Sequence, residues 1–203
     1  MELIRGFCQV SLSIHKRMSF PALLALATVA LGITTGVSAG ATGPFNWFRA
    51  ARPPAGWRHV ALPSGSAVLF YPARFRLVSG DPGTASAEVR DRAGNIIGYL
   101  NATPKQGHET LGDWPAFRVA HQRDEETSVR EEARAFGLTF RGGTGSCVID
   151  GYTTPIKHNH YREIACFVMG RHKGSVIVAA ATPANWKKIG NDLEEAISAY
   201  EVR

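Results

Sequence analysis

Cysteine is scarce in this chain, with three in 203 residues, and the three are spread so that no CxxC pair exists. That spacing excludes a thioredoxin-like redox motif and the common zinc frameworks, both of which need close cysteine pairs. Methionine is equally scarce, and no uncharged apolar run exceeds the 12 residues Ala22 to Ile33, ALLALATVALGI. There is no low-complexity tract and no internal repeat. Phosphate-loop chemistry is missing too: Gly142-Gly143-Thr144-Gly145 lacks the Lys-Ser/Thr ending and the following helix, and reads as a turn. Ser64, Ser66 and Ser146 stand in no nucleophile-elbow sequence, so no local pattern assigns a catalytic serine.

What is present points to export. Arg5, Lys16 and Arg17 precede the apolar run, and the small-residue patterns Val37-Ser38-Ala39 and Ala39-Gly40-Ala41 follow it. This is the three-part layout of a secretory signal, with cleavage expected after Ala39 or Ala41. The alternative is a retained anchor: Ser19 to Ala41 spans roughly the 20 residues needed to cross a bilayer, which would give membrane contact through residues 19–41. Phe45, Trp47 and Phe48 would then sit at the interface, with Arg49 and Arg52 beyond. In both readings the folded part faces outward. No cysteine follows the run to accept a lipid, and Met18 is an alternative start that would remove Cys8.

Cleavage removes Cys8 and leaves Cys147 and Cys166 as a pair in an oxidising compartment. It also removes three basic residues and one acidic one, so a net charge of +6 becomes +4. The remaining basic residues are scattered among acidic ones and form no stripe for nucleic acid.

The mature chain divides into a linker over 42–56, with three prolines and no periodic pattern, and an exported α+β domain over 57–203. Trp57–Leu62 with Ala67–Tyr71, and Ser86–Arg90 with Ile96–Ala102, read as antiparallel hairpins. A helix is expected over Thr110–Gln122, with Thr110 and Asp113 resembling a capping box and Pro115 in the first turn. Arg123–Glu126 reads as a loop. Val129–Phe140 fits either period and is taken as a long strand bulged near Gly137. Arg162–Met169 and Val176–Ala181 are apolar on both sides and belong at the centre of a covered sheet. A last helix, Asn185–Tyr200, aligns Trp186, Leu193, Ala196, Ile197 and Tyr200 on one face. The expected fold is therefore an antiparallel β-sheet flanked by helices, a single domain with one disulfide. If Gly145–Asp150 pairs with Arg162–Met169 so that Cys147 faces Cys166, the bond is sterically available, and closing a loop of about 20 residues contributes roughly 3 kcal/mol in the chain-entropy description.

Candidate sites are few. His158 and His160 are two apart and would share one side of a strand, a metal-like fragment for which Asp150, Glu163 or His172 would have to supply further ligands; the plain reading is a hairpin tip, and no metal or cofactor is expected. Trp114, Phe117, Trp186 and Tyr200 read as helix-to-core packing, with a ligand groove between helix and sheet as the alternative. Asn101-Ala102-Thr103 matches a glycosylation acceptor by chance, with Pro104 directly after.

Taken together, Tyr99 to Pro104, Glu109, Trp114, Gly145-Ser146-Cys147-Val148, Asp150-Gly151-Tyr152-Thr153 and Glu163-Ile164-Ala165-Cys166 resemble an uncharacterised group of exported actinobacterial proteins over residues 57–200. In element order the domain also resembles the PsbP-like fold. That resemblance implies a non-enzymatic accessory or binding module of an extracytoplasmic compartment, whose partner would be an envelope protein or a small-molecule ligand. The competing expectations are a secreted hydrolase or metal-dependent enzyme centred on Tyr152 to His160, and a membrane-tethered accessory subunit using residues 43–56 as a stalk.

Overall fold

The computed structural model of the protein describes residues 43–203; the expected signal or anchor, Cys8 and Met18 lie outside the described residues. A 3-10 turn at Gly43–Phe45 is followed by β1 (Arg58–Ala61) and β2 (Ala67–Tyr71), then β3 (Arg76–Val78), β4 (Ala85–Arg90) and β5 (Ile96–Pro104). Helix α1 (Trp114–Glu125) leads into β6 (Thr127–Phe140), β7 (Gly143–Thr153), β8 (His160–Met169) and β9 (Gly174–Ala181). Helix α2 (Pro183–Ala199) and the short β10 (Glu201–Val202) end the chain.

Seven strands form one antiparallel sheet in the order β3-β4-β5-β9-β8-β7-β6, and β1-β2-β10 form a second, smaller one. The doubly apolar strands take the central places, as their composition requires. One face of β8 carries Ile164, Cys166 and Val168 into the main core with Leu193 and Ile197 of α2. The other carries Ala165 and Phe167 to Trp114 and Val119 of α1. Full burial of a Leu or Ile side chain contributes about 1.5–3 kcal/mol, so the α2 face is a principal source of stability. Cys147 and Cys166 are direct cross-strand partners, with Cα atoms 4.1 Å apart and the sulfurs bonded. The two expected hairpins form, the first turning through Gly65 at φ +68°.

Several boundaries differ from expectation. The Thr110–Asp113 pairing exists, at 2.8 Å between side chains, but it lies one turn ahead of α1; Pro115 occupies the first helical turn, and the helix continues through Arg123 to Glu125, where a loop was expected. The ambiguous segment is the long edge strand β6, with three register shifts and Gly137 at φ +65°. Its alternating Arg130, Glu131, Glu132 and Arg134 give an outer edge charges that resist pairing with another chain.

The linker expected over 42–56 needs correction in its first half. Phe45 and Phe48 are 1% and 4% exposed within the main core, and the Phe48 ring lies 4.7 Å from that of Phe140. Ala51 N donates to Ser198 O at 2.9 Å, tying the segment to the end of α2. Rings packed this way are not available to a membrane interface. Isolated aromatics between prolines have no period, which is why pattern reading misses them.

Candidate functional site

At the end of the large sheet where the β7–β8 hairpin turns, a pocket of about 300 Å³ opens on the α2 side. Its floor is set by register: Arg130 of β6 pairs with Gly151 of β7, which pairs with Arg162 of β8. Directly paired residues project to one face, so two arginines flank a position with no side chain. Glu132, His160 and Tyr161 form further walls, and Pro183, the first residue of α2, closes one side. Arg162 is fixed on both flanks: its guanidinium lies 4.5 Å over the Trp186 ring, and its Nε donates to Glu132 Oε2 at 2.9 Å. Ser128, also on the rim, has φ +52°, one of two non-glycine residues with positive φ among the described residues. Such conformations persist only where the surrounding structure holds them, and they gather at functional sites.

Behind this pocket, on the opposite face and beneath α1, lies a buried ionic cluster. Arg118 Nε donates to Glu163 Oε1 at 2.8 Å, and Gln122 Nε2 donates to Glu163 Oε2 at 3.3 Å. Asp150 stands directly across from Glu163, and neither carboxylate is exposed. Neither Asp150 oxygen has a hydrogen-bond partner among the described residues. Burial, reinforced by the Glu163 charge and opposed by Arg118, pushes the Asp150 pKa up to about 8. Burial and then Glu125 and Glu163 push Glu126 up to about 7. Burial also raises the Tyr152 phenol well above its ordinary value. For Arg118 burial works against the charge, but Glu163 and Asp150 outweigh it and the pKa is raised.

The expected site residues scatter. His158 precedes β8 with φ +51°, in the hairpin turn, so the two-apart strand geometry proposed for His158 and His160 does not exist. His160 Nδ1 instead meets Thr153 Oγ1 at 2.8 Å. Asp150 and Glu163 do come together, around Arg118, whereas His172 lies in the β8–β9 turn at the other end of the sheet. Among the described residues no three His, Cys, Asp or Glu side chains converge as a metal site. Trp114 and Phe117 belong to α1, and Trp186 and Tyr200 to α2 and its end, on opposite faces of the sheet, so they line no common groove. Trp114 Nε1 donates to Ala165 O at 3.0 Å and Tyr200 to Ser175 Oγ at 2.9 Å, the bonds of core aromatics. Ser64 and Ser66 hydrogen-bond one another in the first hairpin turn, and Ser146 is buried on β7. Asn101 is buried on β5, out of reach of a glycan. Gly142 turns the β6–β7 hairpin at φ +82°, where a Cβ would run into Val202 O of β10; a Cβ on Gly143 would run into Met169 O and one on Gly145 into the Phe140 ring, so the glycine run is a packing requirement.

Sequence reading did not single out Arg130, Glu132 or Arg162. The usable signal was Gly151: a glycine inside a strand, not at a turn, marks a place where something else approaches.

No known family model matches the chain, and no curated protein sequence matches it. Solved structures do. The solution structure of cyanobacterial PsbP from Synechocystis aligns with a TM-score of 0.54 at 12% identity, covering 81% of this chain and 99% of that one. A Pseudomonas aeruginosa protein of unknown function aligns at 0.48 with 12% identity, over 71% of this chain and 95% of its own. LpqN, a Mycobacterium tuberculosis protein involved in cell envelope biogenesis, aligns at 0.38 with 12% identity, over 74% and 80%. The likeness to cyanobacterial PsbP shows a shared fold. Among the described residues no helix is long and apolar enough to cross a membrane.

Proposed function

We propose that this protein is an exported, disulfide-stabilised binding module of the cell envelope, non-enzymatic, that takes a small ligand in the pocket over Gly151. The observation that carries the reading is the separation of two kinds of group by the sheet. Arginines and hydrogen-bonding side chains line the open pocket, while the two acids that face each other across β7 and β8, Asp150 and Glu163, are sealed on the other face under α1. Catalytic acids and bases need access to substrate as well as a tuned pKa. The likeness to cyanobacterial PsbP supports the same reading, through the accessory extracytoplasmic role that the PsbP-like resemblance implies.

A hydrolase is the competing reading, because Ser128, His160 and Glu132 share the pocket. In a triad the carboxylate holds the imidazole Nδ1. Here Nδ1 is engaged by Thr153 and Glu132 by Arg162, so the bonds a triad requires are made elsewhere.

Amino-terminal sequencing of the native protein, joined to affinity capture from intact envelopes, tests the proposal. A product beginning at Gly40 or Thr42 in the exported fraction, with capture weakened by Arg162→Gln, is the expected result. A cytosolic product retaining residues 1–39 defeats it.

A further inference from the structure

We propose that the pocket's ligand is an oxyanion, a carboxylate or phosphate group of a small molecule, held over Gly151 between Arg130 and Arg162; this rests on the pocket being the binding site. The cross-strand row supplies the spacing. Adjacent strands lie about 4.8 Å apart, so the two arginine Cα atoms stand about 10 Å apart with a glycine between them. Two long side chains can converge above such a gap, and a planar guanidinium matches carboxylate and phosphate oxygens.

The gap is not a by-product of backbone geometry. Gly151 does not have a left-handed φ, and a Cβ there would meet Tyr161 O at 3.4 Å and Glu132 Oε1 at 3.8 Å, ordinary contacts. Alanine would therefore fit the fold. What glycine preserves at this position is open space on the floor of the pocket.

Among the described residues Arg130 is in no ion pair and carries the pocket's surplus positive charge, while Glu132 and Glu194 of α2, whose pKa burial raises, both bear on Arg162. Glu131 pairs with Arg134 and Glu132 with Arg162, so the acids beside Arg130 on β6 are already engaged. Arg162 spends its Nε on Glu132 and keeps the remaining donors of its fork. Stacking on Trp186 holds the guanidinium in place before any ligand arrives, which lowers the ordering cost of binding. The first residue of α2 lies in the wall, so the positive end of that helix dipole adds to the same field. A volume of about 300 Å³ is at the small end for ligand pockets and suits a compact acid rather than a polymer.

The test is titration of the ¹⁵N-labelled full-length protein, at low salt, with phenyl phosphate and benzoate against benzylamine and benzyl alcohol. Saturable shifts at the Gly151, Tyr161 and Arg162 amides with the two anions alone are expected. Arg130→Gln and Gly151→Ala should each weaken anion binding about tenfold or more, equivalent to about 1.4 kcal/mol, without moving amides elsewhere. Arg171→Gln, at the far end of the sheet, should change nothing. Equal binding of benzylamine or benzyl alcohol at these amides overturns the oxyanion while leaving the pocket as a site. Anion shifts spread over the surface and unaffected by Arg130→Gln overturn it as general charge attraction. No shift at these amides with any probe overturns both this inference and the pocket reading.

Discussion

Asp150 and Glu163 face each other across β7 and β8, both fully buried, beneath Arg118 of α1. Directly opposed residues place their Cβ atoms about 5 Å apart. One guanidinium can neutralise one of two carboxylates at that distance, and burial makes the second charge costly. The arrangement is satisfied when Asp150 keeps its proton. The other charged or titratable groups that bear on Asp150 are Glu131 and Glu132 of β6, while Tyr152 of β7 and Glu126 beyond α1 belong to the same cluster around Arg118 and Glu163.

Stability should therefore fall as the solution becomes alkaline. Unfolded, Asp150 titrates near its ordinary 3.8; folded, at about 8. The folded protein holds this proton more tightly, so the contribution is whole below about pH 4, declines above it and is gone once pH passes about 8. Glu126, raised from 4.5 to about 7, acts with the same sign. Glu88 acts oppositely in acid: burial raises its pKa, but hydrogen bonds from Arg90 and Arg76 bring it below 4.5. Denaturant midpoints at about pH 5.5 and about pH 8.5 bracket the range in which Asp150 and Glu126 act together, and the Asp150→Asn variant separates the Asp150 share. The wild-type midpoint should drop between them and Asp150→Asn should remove most of that drop; a wild-type midpoint that stays level or climbs contradicts the assignment.

Replacing Arg118 by Met keeps much of the side-chain length but leaves Glu163 without its cation. Breaking one partner of a buried pair costs about 3–5 kcal/mol. The loss should appear in urea unfolding at neutral pH, and the double variant Arg118→Met, Glu163→Gln should recover a large part of it. If the double variant is no more stable than the single one, the two side chains are not coupled as the 2.7 Å contact indicates.

Much of this fold is legible in the sequence where burial imposes a period. Strands β8 and β9 declare themselves by apolar residues on both sides, α2 by its stripe, and the Cys147–Cys166 opposition by the pairing of β7 with β8. Short or aperiodic elements are not legible: β3 has three residues and β10 two, and Phe45 and Phe48 enter the core from a proline-rich stretch. The ionic cluster was half visible. Strand parity puts Asp150 in line with Val148 and Glu163 in line with Ala165, which places two acids on an inward face, and Arg118 shares the core-side stripe of α1 with Trp114. The pocket was hidden because it depends on the register of β6, whose three shifts no local pattern specifies.

Removing the disulfide should cost about 3 kcal/mol, the value the chain-entropy description gives for a sequence separation of 19. The double variant Cys147→Ala, Cys166→Ala should show this as a lower urea midpoint with an unchanged native spectrum. Because both sulfurs face the α2 side of the core, the cavity left by the substitutions adds a smaller loss. Unmodified protein from the exported fraction that takes up two alkylating groups under non-reducing denaturation would show that the bond does not form in the native setting.

Phe48→Ala tests whether the amino-terminal segment is structural. A linker residue exposed to solvent would change stability by less than about 0.5 kcal/mol on truncation. Phe48 instead packs at 4.7 Å from Phe140, the last residue of β6, and neighbours Trp47 at 5.9 Å. Truncation deletes a ring from a site that neighbouring side chains only partly refill, and such losses run to about 3–5 kcal/mol. Thermal or urea unfolding of Phe48→Ala should show a loss of that size, and Phe45→Ala a similar one. A near-neutral result for both would mean that residues 43–48 do not hold the core together, and that the domain ends nearer Trp57, where the strands begin.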